Sequence, residues 1–155
     1  MIEERLKELG LSLPAPAAAP AGVRLPFAPV RVQGDVAYLS GHGPLDGERV
    51  LFTGRVGAEV SAEQAYDAAR ATALSMLAAL KLQLGSLDRV TGWVKALGFV
   101  WCADGFDATP GVINGFSDLI LELWGDAGLH ARSAIGAGVL PFGMPVEIEA
   151  IVSLG

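Results

Sequence analysis

Apolar and polar residues alternate along two segments near the C-terminal end of the chain. The alternation runs from Ala131 to Leu140 and again from Val146 to Leu154, and a period of two residues is typical of a β-strand whose two faces differ. Pro141, Gly143 and Pro145 separate the segments, and these residue types favour a turn. We therefore expect the chain to end in an antiparallel β-hairpin.

Other segments carry apolar residues at helical spacing. Residues 2–9 predict a short N-terminal helix, and residues 112–124 predict a longer one in the second half of the chain. The longest is the Ala-rich stretch 62–84. Ser61 lies just before this stretch and Gln64 lies in its first turn, which is the spacing of a capping box. In a capping box each of the two side chains accepts a hydrogen bond from a free backbone N–H at the start of the helix.

The remaining regular segments predict strands. They are residues 27–33, 36–40, 50–56 and 90–102. The resulting order ββ(β)–α–β–α–ββ indicates an α+β fold, with a single mixed β-sheet, two helices packed on one sheet face and the closing hairpin. The other sheet face would then need a cover, and we expect further copies of the chain to provide it.

The N-terminal part differs in composition from the rest. Residues 14–22 are rich in Pro and Ala, which is typical of an extended connector. We predict that residues 1–22 form a short helix and connector, too small for a domain of their own. Residues 23–155 are predicted to form one α+β domain, a length that can bury a sizeable core.

Charge and composition narrow the classes of partner. Hydrophobic residues make up 52% of the chain, charged residues only 18%, and the net charge is −6. The acidic balance argues against nucleic acid, whose phosphates need Lys and Arg. We expect no membrane partner either, because no segment reaches the roughly 18 consecutive apolar residues of a membrane span. The amphipathic start, residues 1–7, does not resemble a signal peptide, and a single cysteine fits a cytoplasmic protein.

Arg132 is the first candidate for chemistry. It lies in an apolar strand and shares its face with Ala134, and a guanidinium is costly to bury unless it is paired. Its planar fork suits a carboxylate. Two interpretations stay open: a structural ion pair with Glu147 or Glu149 of the next strand, or a cleft in which Arg132 receives a small carboxylate ligand.

Several motifs around these residues carry a resemblance to a known family. They are, in chain order, residues 39–44 (LSGHGP), 79–90 (ALKLQLGSLDRV), 112–115 (VING), 131–133 (ARS), 140–141 (LP) and 146–150 (VEIEA). Together they resemble the signature of the RidA/YjgF family, also called the endoribonuclease L-PSP family, over roughly residues 23–153. The sequences of residues 113–118 and 130–134 are most similar to those of a divergent branch of this family, which has no settled activity. The resemblance implies a YjgF-like (chorismate mutase-like) fold and a homotrimer with ligand clefts between neighbours.

The resemblance also implies roles for individual residues. Arg132 would bind the carboxylate of the ligand, and Glu147 would position or activate water. A carboxylate beside a guanidinium should stay ionised, which suits a base. Ser40, Gly41 and Asn114 would contact the ligand, although a plain turn at the first two and a helix cap at the third are open alternatives.

The chain departs from the deaminases of the family at two positions. Ala134 stands where they carry a cysteine, and Phe27 matches a tyrosine of their first strand region; both would line the ligand site. His42 lies beside the predicted cleft and could shuttle protons near neutral pH, whereas His130 is interpreted as a loop residue. Cys102 belongs to another strand and is interpreted as a small buried residue. No cofactor motif or metal-ligand cluster is evident, so we expect neither cofactor nor metal.

These observations leave two main hypotheses of function. In the first, the protein hydrolyses reactive 2-imino or 2-enamino acids to 2-oxo acids and ammonia, with Arg132 and Glu147 as the catalytic residues. In the second, the same cleft belongs to a non-catalytic, metabolite-binding homotrimer. A ribonuclease activity follows only from the older family name, and the acidic charge counts against it.

Overall fold

The computed structural model describes residues 1–155, which form three α-helices and seven β-strands. The helices are α1 (Ile2–Glu8), α2 (Ala62–Leu84) and α3 (Thr109–Trp124). The strands are β1 (Val30–Gln33), β2 (Val36–His42), β3 (Leu45–Asp46), β4 (Arg49–Val50), β5 (Val90–Trp101), β6 (Ala131–Ala137) and β7 (Val146–Leu154).

Five of the strands form one mixed sheet in the order β1-β2-β7-β5-β6. The pair β5–β6 is parallel and the other pairs are antiparallel. Strands β3 and β4 form a separate two-stranded ribbon where one longer strand, residues 50–56, was expected. The predicted α+β class with a single mixed main sheet is confirmed.

The predicted closing hairpin is wrong. Both of its strands exist, but they do not pair, because β5 lies between β6 and β7. Helix α3 carries the chain from the end of β5 back to its start, so β6 becomes the parallel neighbour of β5, as a crossover helix allows. Residues 138–145 then cross the end of β5, and β7 pairs with its opposite side.

Helices α2 and α3 cover one face of the sheet, as predicted. Helix α2 begins with the expected capping box, in which Ser61 Oγ accepts from the Gln64 backbone N–H and the Gln64 side chain accepts from that of Ser61. Its buried face is rich in alanine, and small side chains let a helix lie close to a sheet. Phe116 of α3 and Ile148 of β7 are fully buried between the two layers.

The N-terminal helix packs against the same core. Ile2 and Leu6 of α1 belong to the main hydrophobic cluster. Arg5 Nη1 donates to the backbone oxygen of Leu123 at 2.8 Å, at the C-terminal end of α3. A cation bonded there satisfies a free helix carbonyl and complements the helix dipole.

The second face of the sheet carries no helix. Tyr38 is 46% exposed there, and Ile135 is also 46% exposed. Large apolar side chains exposed on an uncovered sheet face are candidates for contact with another molecule. None of the helices has both the length and the apolar character that a membrane crossing requires.

Two glycines of α3 give a matched test of how α2 and α3 pack. A Cβ atom at Gly115 would collide with the backbone oxygen of Tyr66 in α2, whereas a Cβ atom at Gly111 would meet nothing within 4 Å. We expect Gly115→Ala to lower the free energy of unfolding by about 1–3 kcal/mol through overpacking. Gly111→Ala should raise it by up to about 1 kcal/mol, because alanine favours a helix more than glycine does. Urea unfolding of both variants checks the signs, and equal effects would contradict the close helix contact.

Candidate functional site

A β-bulge in β2 organises one part of the candidate site. The pairing of β2 with β7 shifts between Leu39 and His42, so that Ser40 and Gly41 together lie opposite the single residue Glu149. A bulge changes the direction of the side chains that follow it. Here it turns His42 toward the helix side of the sheet, where the imidazole is buried.

The bulge brings its backbone against Glu147 of the neighbouring strand. A Cβ atom at Gly41 would lie 2.9 Å from Glu147 Cδ, so only glycine leaves room for the carboxyl group there. Ser40 Oγ donates to the backbone oxygen of Ala28 at 2.7 Å. The predicted residues Ser40, Gly41 and Glu147 are therefore neighbours.

Glu147 is half-buried, and its pKa is raised above the ordinary value. Burial is the larger cause, because it disfavours the charged form, and the negative charge of Glu149 adds to it. The expectation that a neighbouring Arg132 lowers the pKa of Glu147 is wrong within one copy of the chain, where Arg132 does not pair with it and burial sets the direction of the shift.

His42 is only 4% exposed. Its Nδ1 lies 2.6 Å from the backbone oxygen of Ser40. A carbonyl oxygen only accepts hydrogen bonds, so Nδ1 carries the proton and Nε2 is left with a lone pair. Burial lowers the pKa of His42 more than the bond to Ser40 raises it, and the side chain is therefore a neutral base at the cleft wall.

These residues line a cleft of about 310 Å³ that also receives Phe27. We call it the Glu147 cleft. Its other wall is apolar and includes Leu25, Phe142 and Met144, together with residues 17–19 of the Pro/Ala-rich connector. Phe142 has φ 57° and is 51% exposed. A bulky residue in this backbone region is strained, and such strain concentrates at functional sites.

Arg132 lies elsewhere, at the β6 edge of the sheet. Its Nη1 donates to Ser117 Oγ and its Nη2 to the backbone oxygen of Pro110, both at 3.0 Å. Neither of the expected ion pairs with Glu147 or Glu149 is present. The structural interpretation of Arg132 as half of an ion pair is therefore wrong for a single copy.

Asn114 and Ala134 lie near Arg132. Helical spacing places Asn114 on the face of α3 that also carries Pro110 and Ser117, and its side chain is exposed. Ala134 follows two residues after Arg132 on the same face of β6, and its backbone oxygen accepts from Thr109 Oγ1 at 2.9 Å. We call Arg132, Asn114 and Ala134 the Arg132 edge.

The Glu147 cleft and the Arg132 edge lie on opposite faces of the sheet. Arg132 pairs with Ala96 of β5, whereas Glu147 pairs with Phe99 of the same strand. Residues three positions apart in a strand point to opposite faces. One copy of the chain therefore cannot direct Arg132 and Glu147 at one small ligand.

Sequence reasoning missed several residues that shape the two half-sites. Ser117 received no role, and His130 was interpreted as a loop residue, yet the two are bonded to each other beside Arg132. The helical spacing of Ser117 from Asn114 was the available signal. No group of three or more His, Cys, Asp or Glu side chains is placed to hold a metal ion.

Comparison with known proteins adds a family and several relatives. A family model described as "YjgF/chorismate mutase-like, putative endoribonuclease" matches residues 3–151. The Trypanosoma cruzi protein TCP17 is 39% identical over 154 residues, which cover 99% of this chain and 94% of TCP17. The crystal structure of Atu1372 from Agrobacterium tumefaciens, a protein of unknown function, superposes with a TM-score of 0.89 at 39% identity, covering 99% and 92% of the two chains. A Shewanella oneidensis MR-1 structure reaches 0.90 at 29% identity, covering 99% of each.

The raised pKa of Glu147 makes a testable contribution to stability. A carboxyl group whose pKa is raised on folding stabilises the fold below its ordinary pKa, and this contribution is lost as the pH rises through the raised value. We expect Glu147→Gln to gain stability relative to the wild type across that window, measured by urea unfolding from about pH 4 to about pH 8.

Glu149→Gln is the matched control, because it removes the negative charge that raises the pKa of Glu147. The stability that is lost as the pH rises should therefore be smaller in Glu149→Gln than in the wild type. Parallel profiles for the wild type and Glu147→Gln would contradict the assignment. A difference of opposite sign would indicate that a cation from another copy faces Glu147.

Proposed function

The chain belongs to the YjgF/chorismate mutase-like family, and from this membership and the two half-sites we propose that it binds a small carboxylate between neighbouring copies. The family supports small-molecule binding in general. The identity of the ligand, the assembly and any reaction are parts of the proposal.

The observation that carries the proposal is the state of Arg132. Its two protein partners are a hydroxyl and a backbone oxygen, which are both neutral. No carboxylate of the same chain neutralises it, and its side chain is only partly buried. A planar guanidinium in this state favours a carboxylate, which two parallel N–H donors can bind.

A second copy would complete the site. The Arg132 edge and the Glu147 cleft point away from each other, so one ligand reaches both only where the edge of one copy meets the cleft of the next. A repeated head-to-tail contact of this kind forms a closed ring if the rotation between copies closes, and an open filament if it does not. The uncovered sheet face, which carries Tyr38 and Ile135, supplies apolar surface for it. We propose a homotrimer with three equivalent clefts.

The proposed reaction is hydrolysis of a 2-imino acid. Arg132 and Asn114 of one copy hold the carboxylate, while the backbone at Ser40 and Gly41 of the neighbour lies beside the C=N carbon. Glu147 takes a proton from water as the water oxygen bonds to that carbon, and it passes this proton to the imine nitrogen, which gives a neutral tetrahedral amino alcohol. Glu147 then takes the hydroxyl proton of the amino alcohol and delivers it to nitrogen as the C=O bond forms and the C–N bond breaks. A 2-oxo acid and ammonia leave, and the carboxylate of Glu147 is restored. A carboxyl group of raised pKa suits both transfers.

The apolar wall of the cleft bears on the substrate class. Phe27, Phe142 and Met144 lie beside the polar groups, so the side chain of the ligand would be in contact with hydrocarbon. This favours 2-imino acids with an apolar side chain over those with a polar one, because burial of an apolar group is worth about 0.8 kcal/mol per CH₂.

Ala134 favours a second candidate function, ligand binding without turnover. It provides no thiol where the deaminases of the family would have one. Cys102 does not replace it, because its Sγ lies at the end of β5 and donates to the backbone oxygen of Val100 at 3.4 Å, while burial raises its pKa. In this case the trimer would bind a metabolite carboxylate and act as a sensor.

Binding of 2-oxobutanoate, the stable product of the simplest proposed substrate, tests the role of Arg132. We expect Arg132→Ala to weaken binding by roughly a factor of ten to a hundred, because a hydrogen bond to a charged group is worth about 1.5–3 kcal/mol. Arg132→Lys keeps the charge but loses the fork, and an intermediate loss is expected. Calorimetry provides the measurement, with Arg70→Ala as the control for a general loss of positive charge. Unchanged affinity in Arg132→Ala would remove the carboxylate site.

Mixed oligomers test whether the site lies between copies. The wild type should accelerate the loss of 2-iminobutanoate generated in the assay, and Arg132→Ala and Glu147→Gln should each be inactive. Refolding the two variants together in equal amounts should restore about a quarter of the wild-type activity, because that share of the clefts combines an intact Arg132 with an intact Glu147 from different copies.

The alternatives give different results in the same assay. A site formed within one copy would leave the mixture inactive. Binding of 2-oxobutanoate without any acceleration by the wild type would favour the sensor over the enzyme. A monomer in light scattering would remove the shared site altogether.

A further inference from the structure

Three side chains at the Arg132 edge are joined by hydrogen bonds that the proposed reaction does not use. Arg132 Nη1 lies 3.0 Å from Ser117 Oγ, and Ser117 Oγ lies 2.9 Å from His130 Nε2. His130 Nδ1 in turn lies 2.7 Å from the backbone oxygen of Gly128. The row therefore runs from the guanidinium through a hydroxyl and an imidazole to the backbone that precedes β6.

The groups at the two ends of this row fix two of its three hydrogen bonds. The Gly128 carbonyl only accepts, so His130 Nδ1 must donate to it. The guanidinium only donates, so Ser117 Oγ accepts from Arg132. In the neutral imidazole with its proton on Nδ1, Nε2 carries a lone pair and can accept the hydroxyl hydrogen of Ser117.

The surroundings of His130 disfavour its charged form. Burial lowers its pKa, the bond to the Gly128 carbonyl raises it, and the positive charge of Arg132 lowers it further, with a net lowering. Arg132 is the charged group that faces it from β6. Helix α3 presents Ser117 and the ring of Phe116, whose centroid lies 5.6 Å from that of His130. The turn before β6 presents the Gly128 carbonyl.

The pair of Ser117 and His130 is not arranged as a nucleophile and its base. Ser117 is only 9% exposed, and its oxygen already accepts from Arg132. An attacking serine needs a lone pair directed into an open cleft. Ser117 Oγ instead accepts a hydrogen bond from the guanidinium of Arg132, so Ser117 positions that side chain.

We propose that Ser117 and His130 are positioning residues for Arg132, and that the neutral imidazole fixes the guanidinium in the orientation that binds the carboxylate. The proposal rests on the proposed carboxylate site and adds its regulation by pH. Ser117 and the Pro110 carbonyl each occupy one N–H of Arg132. The remaining N–H groups of Arg132, which include Nε–H, make no hydrogen bond within the chain and stay available to the ligand.

Protonation of His130 would break this arrangement. The new Nε2–H has to donate to Ser117 Oγ, which already accepts from Arg132, and the hydroxyl hydrogen of Ser117 loses its acceptor. Two cations would then share one hydroxyl, and their repulsion favours a rotated guanidinium. Carboxylate affinity should therefore fall as the pH drops through the lowered pKa of His130, on the acid side of about 6.5.

The test measures 2-oxobutanoate binding by calorimetry at a series of pH values. The probe stays ionised throughout, because 2-oxo acids are stronger than ordinary carboxylic acids. We expect roughly tenfold weaker binding across the acid transition in the wild type, and a similar loss at all pH values in Ser117→Ala. Ser117→Thr keeps a hydroxyl and should recover most of the affinity. A circular dichroism melting curve establishes that each variant is folded.

His130→Gln separates positioning from a merely structural role. The side-chain oxygen of glutamine can accept from Ser117 near the position of Nε2 but does not titrate in this range, so the acid limb of the profile should flatten. Glu147 and His42 also titrate in the cleft, but both remain in this variant, so the contrast with the wild type isolates His130. An unchanged acid limb in His130→Gln, or wild-type binding by Ser117→Ala, would overturn the proposal.

A ligand-free measurement keeps the proposal distinct from the carboxylate site. ¹⁵N NMR of the imidazole reports its tautomer, and the ¹⁵N–¹H resonances of the Arg132 guanidinium report its hydrogen bonds. We expect the Arg132 signals to follow the titration of His130 in the wild type and to stay constant in His130→Gln. If the wild type binds no 2-oxobutanoate at any pH, the proposed function fails. The coupling of His130 to Arg132 is then decided by these signals alone, and their independence would overturn it.

Discussion

The position of β5 between β6 and β7 is the constraint on which the whole site depends. It separates Arg132 from Glu147 by one strand and directs them to opposite faces of the sheet. A guanidinium and a carboxyl group on adjacent strands and one face would neutralise each other. Here neither can, so Arg132 keeps an unneutralised positive charge and burial sets the protonation of Glu147. The separation of the two groups within one copy leaves both without a partner of opposite charge, which is the basis of the proposed ligand site.

Each half-site is then built by local departures from regular structure. In β2 the bulge at Ser40 and Gly41 lets the backbone approach Glu147 and buries His42 on the helix side. At the β6 edge, α3 presents the Pro110 carbonyl and Ser117 Oγ at the spacing that holds one guanidinium. In both places the rigid sheet provides the position and a short irregular or helical segment provides the hydrogen bonds. Such sites are more precise than sites on loops, because regular elements restrict the rotamers of the functional groups.

Sequence patterns predicted where the helices and strands lie far better than they predicted which strands pair with each other. The capping box at Ser61 and Gln64 and the Ala-rich run after it predicted α2 to the residue, since helix signals are local. A period of two residues, in contrast, identifies a strand but contains no information about which strand pairs with it, and the hairpin prediction failed for this reason. The bulge was equally invisible, because it depends on the register between β2 and β7. The family motif drew attention to Arg132 and Glu147, which remain predicted site residues. It did not predict that they lie on opposite faces of the sheet, because that depends on their partners in β5, Ala96 and Phe99.

The protonation states of the two half-sites together argue for a singly charged ligand. Burial lowers the pKa of His42 and of His130 and raises that of Glu147, so Arg132 is the one side chain of the two half-sites whose positive charge does not depend on pH. One guanidinium matches one carboxylate. A polyanion such as RNA would find no further cation among these residues and would approach Glu149 and a chain of net charge −6, whereas nucleic-acid affinity grows with the number of phosphates that Lys and Arg neutralise. In the proposed complex the apolar wall of the Glu147 cleft would displace water from a small acid and so strengthen its attraction to Arg132, because charges interact more strongly where water is displaced.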